Sequence, residues 1–286
     1  MPQPFKAACI QNSAGPEIVP SMAEASDLLR AAQAEGAELI CLPEYFTCLQ
    51  ASDDLFVVGA LSEDEHPGLP HYRDLAQELG VWLLLGSLAI KAGADKVTNR
   101  SYMIDPKGGI AARYDKIHMF DVDLAGGESY RESAYIEPGN EAVLADTPWG
   151  SLGMTVCYDL RFPQLYRSLA QAGASYLVVP AAFTKTTGEA HWHLLLRARA
   201  IETGCYVFAP CQYGTHGGGR ETYGHSLIVD PWGRVLADGG ADAGFIIAGI
   251  DPAEVAKARA MIPSLQHDRD FAVAEEETPT PAVRRA

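Results

Sequence analysis

The chain has 286 residues, of which 48% are hydrophobic and 21% charged, ordinary proportions for a globular protein. Its formal net charge of −15 and pI of about 4.9 argue against nucleic acid or an anionic membrane surface as a partner. The longest apolar stretch, VWLLLGSLAI, is about half of a bilayer span, and the start MPQPFKAACIQN has no apolar signal core, so a cytoplasmic location is expected. In chain order, an edge-of-sheet strand from Phe5 precedes a helical pattern over 19–35 and a buried strand over 39–42. A loop rich in Asp, Glu, Pro and Gly (62–70) leads to a helix over 71–79, then strands over 81–89, 98–104 and 109–116. Strands at 150–157, 176–181 and 206–210 alternate with helices over 162–171 and 191–203. The turn signal Asp105-Pro106-Lys107-Gly108 recurs as Asp230-Pro231-Trp232-Gly233, which predicts two similar halves, each with a β-hairpin after its βα units. This pattern indicates an α/β domain with a mixed sheet. No shift of composition interrupts 5–251, so one domain over 1–274 is expected. The Glu run and Thr-Pro repeats of 275–286 read as an extended or disordered tail.

Cys157 carries the strongest chemical signal. An apolar run stops at this thiol, and a charged, proline-marked helix start follows at once in VCYDLRFPQLY. A cysteine at such an elbow lies beside backbone N–H groups that favour a thiolate and, later, an oxyanion. A small buried core thiol is the plainer reading of the same pattern. Glu44 follows the buried strand of AELICLPEYF directly after Pro43, where ligand sites of open α/β sheets gather. Lys116, in YDKIHMFDVD, again stands where an apolar alternation meets a polar segment. Taken singly, a loop glutamate is most often solvated and a lysine most often snorkels. The six cysteines lack paired metal-ligand spacing, and Cys41, Cys48, Cys205 and Cys211, in or beside apolar runs, read as reduced thiols. His191 and His193, two apart on a helix, point to different faces and cannot together hold one ion. His216 in THGGGR and His225 near a strand read as structural, and neither metal nor organic cofactor is expected.

Glu44, Lys116 and Cys157, in that order and with those flanks, resemble the nitrilase superfamily of carbon–nitrogen hydrolases. The similarity covers about 5–251 and continues through AAFTKTTGEAHWHLLLRARAIETGCYVFAPCQYG and YGHSLIVDPWGRVLA. It implies a four-layer αββα sandwich of two mixed β-sheets, with helices outside. It also implies hydrolysis of a small amide through a cysteine thioester. Glu44 would be the general base and Cys157 the nucleophile, and the Lys116 ammonium and the backbone N–H of Tyr158 would hold the oxyanion. A second glutamate is implied after the lysine, and Glu132 in YRES matches it better than Glu128 in GGES. Pairing into a homodimer or a multiple of it is implied too, with 161–170 as a plausible contact.

Within the superfamily, the segment from TTGEAHW to YGHS is most similar to the deaminated-glutathione amidase branch. That branch cleaves an α-keto-acid amide to 2-oxoglutarate and Cys-Gly. An omega-amidase acting on 2-oxoglutaramate, an N-carbamoyl amino acid hydrolase and a nitrilase are the enzyme alternatives. Tyr158, where nitrilases carry tryptophan, weighs against the last. A non-catalytic binding subunit on the same fold is the alternative from another class. For an acidic substrate, Arg161 and Lys185 are the best-placed cations, and Phe183, Thr184 and Thr187 are expected at the pocket mouth. One departure stands out: relatives in the branch usually read HWE where this chain has His193 in HWH.

Overall fold

A computed structural model describes residues 2–52, 54–124, 127 and 129–273 of the chain. Glu128 and the 275–286 segment lie outside the described residues. The first half runs β1 (Phe5–Gln11), α1 (Ile18–Ala34), β2 (Leu39–Cys41), α2 (Asp54–Val58), α3 (Gly68–Leu79), β3 (Trp82–Lys91), β4 (Val97–Ile104) and β5 (Ile110–Asp115). A short hairpin, β6 (Asp121–Asp123) and β7 (Ser129–Arg131), links it to the second half. There follow β8 (Val143–Thr147), β9 (Gly150–Met154), α4 (Pro163–Gln171), β10 (Ala174–Val178), α5 (Lys185–Thr203) and β11 (Tyr206–Ala209). The remainder is β12 (Tyr213–Thr215), β13 (Glu221–Tyr223), β14 (Leu227–Val229), β15 (Val235–Asp238), β16 (Gly244–Ile250) and α6 (Ala253–Met261).

The two large sheets share one plan. Their orders are β16-β1-β2-β3-β4-β5 and β15-β14-β11-β10-β9-β8. In each, three parallel strands (β1, β2, β3 and β9, β10, β11) carry an antiparallel strand at one edge and an antiparallel hairpin at the other. The repeated Asp-Pro turns close those hairpins. Asp105 Oδ1 accepts the N–H of Lys107 and Gly109, and Asp230 Oδ1 accepts those of Trp232 and Arg234.

Period-two alternation divides the buried side chains between layers. From the first sheet, Cys9, Cys41, Leu84 and Met103 meet Leu152, Met154 and Phe208 of the second. Their neighbours Ile10, Ile40, Leu83 and Leu85 point the other way, onto Leu29 of α1 and Tyr72 and Leu75 of α3. On the far side, Leu165 and Leu169 of α4 and Trp192 and Leu196 of α5 cover the second sheet. Helices, sheet, sheet and helices make the expected αββα sandwich.

Three expectations change. The strand from Phe5 is interior, because β16 returns from the far end of the chain to pair along all of it. Strand β9 stops at Met154, where its last register partner on β10 is Val178, so Cys157 belongs to a single 3₁₀ turn (Cys157–Arg161). Helix α5 begins at Lys185 rather than 191. Thr-Thr-Gly reads as loop by propensity, yet Gly188 is where Tyr223 packs. A Cβ there would lie 2.3 Å from the Tyr223 ring.

Candidate active site

Glu44 leaves the carboxyl end of β2 on a tightly held turn. Gly86 of β3 backs it: an added Cβ would sit 2.0 Å from the Leu42 carbonyl oxygen, so no side chain fits. Ser87 Oγ accepts the Tyr45 N–H at 3.1 Å, and Gln212 Nε2 donates to the carbonyls of Glu44 and Tyr45 at 2.8 and 3.0 Å. Lys116 follows β5, its N–H donated to the Asn99 carbonyl at 3.0 Å. Glu132 opens a 3₁₀ turn just after β7 and accepts the Phe120 N–H at 2.6 Å.

Cys157 hangs from the end of β9. Its N–H donates to the Pro180 carbonyl at 2.9 Å, and its φ of 49° is left-handed. For a residue other than glycine that geometry costs on the order of 1–3 kcal/mol and persists only where the surroundings enforce it. Asp159, fully buried, does much of the enforcing. Its carboxylate accepts the Val156 N–H (2.9 Å), the His118 N–H (3.0 Å) and the Tyr114 hydroxyl (2.7 Å), and His118 Nδ1 lies 2.7 Å away. One carboxylate thereby ties the cysteine turn to residues on both sides of Lys116. From α5, Arg199 adds two bonds to the Leu160 carbonyl, at 3.0 and 2.7 Å.

These elements converge on one buried cluster. Lys116 Nζ lies 2.8 Å from both carboxylate oxygens of Glu132 and 3.2 Å from Glu44 Oε1. Asn99 Nδ2 donates to Glu44 Oε1 and the Ala182 N–H to Oε2, both at 2.8 Å. The Cys157 thiol faces the same carboxylate and ammonium across the buried pocket, close enough for both charges to act on its ionisation. Burial pushes the Glu44 carboxyl up, but Lys116, the Ala182 N–H, the thiol and Asn99 together outweigh it and hold it below the usual range. Burial works against the Lys116 ammonium, yet Glu132 and Glu44 keep it charged far above the ordinary lysine range. Glu132 is held above the ordinary carboxyl range by burial and by Glu44, against Lys116. Burial and the Glu44 charge raise the Cys157 thiol well up, against the pull of Lys116. The resting cysteine is therefore a thiol with a carboxylate base beside it, rather than a free thiolate.

A pocket of about 450 Å³, mouth included, opens onto this cluster. Glu44, Lys116, Glu132, Cys157, Tyr158, Phe183, Thr184 and Thr187 all line it, so the structure brings eight of the ten residues singled out by sequence to one place. Arg161 and Lys185 are not among them. Arg161 donates to His191 Nδ1 at 3.3 Å, with its guanidinium over the Tyr158 and Phe183 rings, and Lys185 pairs with Glu221 at the surface. Arg161 was singled out by its nearness to the thiol along the chain, which is not nearness to the pocket in space. Besides Lys116, Arg220 also lines the pocket, stacked on the Tyr130 ring at 5.4 Å. Sequence reasoning passed over it as part of the glycine-rich THGGGR loop. The Tyr223 N–H bond to the Phe183 carbonyl (2.9 Å) and the Thr184–Thr222 bridge carry that loop to the pocket wall. His193 is elsewhere, 3.0 Å from Asp238.

A thiol at a strand-end elbow, flanked by two carboxylates and one ammonium inside an αββα sandwich, defines a carbon–nitrogen hydrolase of the nitrilase type. The carbon-nitrogen hydrolase family model matches residues 6–260, and the chain belongs to that family. A deaminated glutathione amidase of Synechocystis sp. is 42% identical over 270 residues, covering 93% of this chain and 98% of its own. Among solved structures, the C. elegans NitFhit protein is similar with a TM-score of 0.88 at 36% identity, over 94% of this chain and 66% of that one. Saccharomyces cerevisiae Nit3, described as a member of branch 10 of the nitrilase superfamily, matches with a TM-score of 0.82 at 29% identity, over 91% and 95% of the two chains.

Proposed function

We propose that the protein is an amidase that hydrolyses deaminated glutathione to 2-oxoglutarate and Cys-Gly through a Cys157 thioester. Glu44 accepts the thiol proton as sulfur attacks the amide carbon. The oxyanion that forms is met by the Lys116 ammonium and the Tyr158 N–H. Glu44 then returns the proton to the departing Cys-Gly amine, and the C–N bond breaks. A water gives its proton to Glu44 and attacks the thioester, and 2-oxoglutarate leaves as the thiol is restored. Glu132 keeps Lys116 charged and in place. The observation that carries this reading is the buried thiol beside Glu44 and a twice-paired lysine, in a pocket whose wall also presents a guanidinium.

Arg220 supports the acidic substrate. Tyr130 and Arg220 also line a second depression of about 1070 Å³ that includes Ser52, Arg131 and Glu221. A substrate that extends past its scissile amide has somewhere to lie, which favours deaminated glutathione over the smaller 2-oxoglutaramate. The test compares kcat/KM on deaminated glutathione, 2-oxoglutaramate, an N-carbamoyl amino acid and a simple nitrile. A tenfold lead for 2-oxoglutaramate would move the chain to the omega-amidases, and a lead for the carbamoyl compound would overturn the branch. A charge-assisted hydrogen bond contributes about 1.5–3 kcal/mol. Arg220→Gln is therefore expected to raise KM for deaminated glutathione by about 10–100-fold, with little rescue by Arg220→Lys, which lacks the planar fork. A KM change below about threefold would remove Arg220 from substrate recognition.

The same reading includes a single domain over 1–274, a reducing cytoplasmic location, to which six free thiols are suited, and a homodimer. Among the described residues no helix is long and apolar enough to cross a membrane. On α5, Leu194 and Ile201 are exposed (68% and 53%), and Trp232 is exposed beside Ile201. Being seven residues apart, the first two share a helix face. That apolar face supports pairing through α5, whereas the large apolar residues of α4, the expected contact, are turned inward. Light scattering at micromolar concentration is expected to give a dimer or a multiple of it, and a monomer would overturn the assembly.

A further inference from the structure

Three residues other than glycine adopt left-handed backbone conformations among the described residues: Tyr45, Cys157 and His225. The first follows Glu44 and the second is the nucleophile. Strain of this kind concentrates where a side chain is being aimed, and nothing in the amide chemistry uses His225. Its φ of 51° swings the ring over Tyr223, with centroids 4.4 Å apart, and toward His193, at 5.2 Å. His225 Nδ1 lies 2.9 Å from Asp238 Oδ1, and His193 Nε2 lies 3.0 Å from Oδ2 of the same carboxylate.

We propose that His193 Nε2, His225 Nδ1 and the Asp238 carboxylate form a divalent-cation site that pins α5, the β13–β14 connection and the end of β15 together. Three ligand atoms, one from each residue, lie within 4.8 Å of one another. Tetrahedral zinc with bonds of about 2.0–2.2 Å places neighbouring ligand atoms roughly 3.3–3.6 Å apart. Each ring nitrogen faces an oxygen of that carboxylate at 2.9 or 3.0 Å, a hydrogen-bond distance, so an ion enters as these nitrogens give up their protons and the rings shift by about half an ångström. Two imidazoles and one carboxylate suit zinc or a neighbouring late first-row ion, and disfavour calcium or magnesium, which take oxygen. The groups are about one-third exposed, which leaves room for water to complete the coordination.

The surroundings hold the ligands in position before an ion arrives. The Gly240 N–H donates to Asp238 Oδ1 at 2.9 Å, the His225 carbonyl accepts Trp192 Nε1 at 2.8 Å, and the His225 N–H donates to the Gly240 carbonyl at 2.6 Å. The sequence hides the site because its members are 32 and 13 residues apart, and because His193 was weighed only against His191. The β13 strand just before His225 pairs with Thr184 at the pocket wall, so an ion here braces that wall without touching the substrate.

The test uses the full chain with Cys157→Ala, which removes the active-site thiol as a competing ligand, after dialysis against chelator. Zinc alone is titrated by calorimetry and in thermal unfolding. One ion per chain with a micromolar or tighter Kd and a raised Tm is expected. Losing even an outer-shell partner weakens metal binding about 10–100-fold. His193→Ala and His225→Asn should each weaken it at least about tenfold, with the zinc-free Tm near that of the parent. Asparagine is chosen because it accepts the left-handed backbone. Absence of stoichiometric binding, or less than tenfold weakening in either variant, overturns the site. Because the readouts are affinity and Tm, failure here leaves the amidase reading standing.

Discussion

Glu44→Gln is expected to lower kcat/KM on every amide substrate by about 10²–10⁴, the usual contribution of a positioned acid–base group. The expectation is sharper than for a cysteine enzyme with a preformed thiolate. Burial and Glu44 hold Cys157 as a thiol at rest, so without the carboxylate the sulfur has nowhere to send its proton during attack. The departing amine also loses its proton donor, so both half-reactions suffer. The variant should stay folded, because Lys116 keeps both contacts to Glu132 and the amide oxygen can still accept the Ala182 N–H. Cys157→Ala should show no turnover at all. In the wild type, Glu44 must be ionised to act, and its carboxyl is held below the usual range. The acidic limb of the kcat/KM profile should accordingly lie below the ordinary glutamate range. Steady-state rates with an ammonia or dipeptide readout decide this, and residual activity above a tenth of wild type would remove Glu44 from the mechanism.

Lys116→Met is expected to cost both turnover and about 3–5 kcal/mol of stability near neutral pH. Removing one partner of a buried ion pair leaves the other charge uncompensated. The signs follow from the directions of the shifts. In the wild type, Glu44 is depressed on folding, so its contribution is present above the ordinary carboxyl range and is lost as pH falls through the folded value. Lys116 is raised, so its contribution is present below the ordinary lysine pKa of about 10.4 and is lost only as pH climbs through the folded value. In the variant, the Lys116 charge no longer opposes burial at either carboxyl, so both shift upward, Glu132 from a value already above its unfolded one. The folded state then binds the extra protons, and the stability deficit should shrink as pH falls from 7.5 toward 5. Urea unfolding of wild type and variant at both pH values measures it. A deficit unchanged by pH would mean that Glu44 and Glu132 are not compensated by Lys116.

Much of the fold was legible because burial leaves a periodic trace. Runs such as Leu39–Cys41 read as strands, and the two Asp-Pro turns correctly announced two halves with hairpins after their βα units. Element ends were less legible. The strand to Cys157 reads as unbroken apolar chain, while its register pairing with β10 stops three residues earlier, at Met154. The start of α5 was hidden by a glycine whose reason for being there, the Tyr223 ring, lies 35 residues away. The place of β1 inside its sheet depends on β16, which nothing near Phe5 could reveal.

The motifs around Glu44, Lys116 and Cys157, by their resemblance to the carbon–nitrogen hydrolases, identified the class of protein, and the same resemblance implied Glu132. The first three stand at the ends of recognisable elements, whereas nothing local in the sequence marked Glu132. Only the tertiary structure decided that the thiol rests protonated, because its pKa depends on burial and on carboxylates 113 and 25 residues away in sequence. It alone placed Arg220, and not Arg161, in the pocket lining, and brought ligand atoms of His193, His225 and Asp238 within 4.8 Å of one another. Side-chain direction and the packing of one loop against another decide those points, and neither leaves a local mark in a sequence.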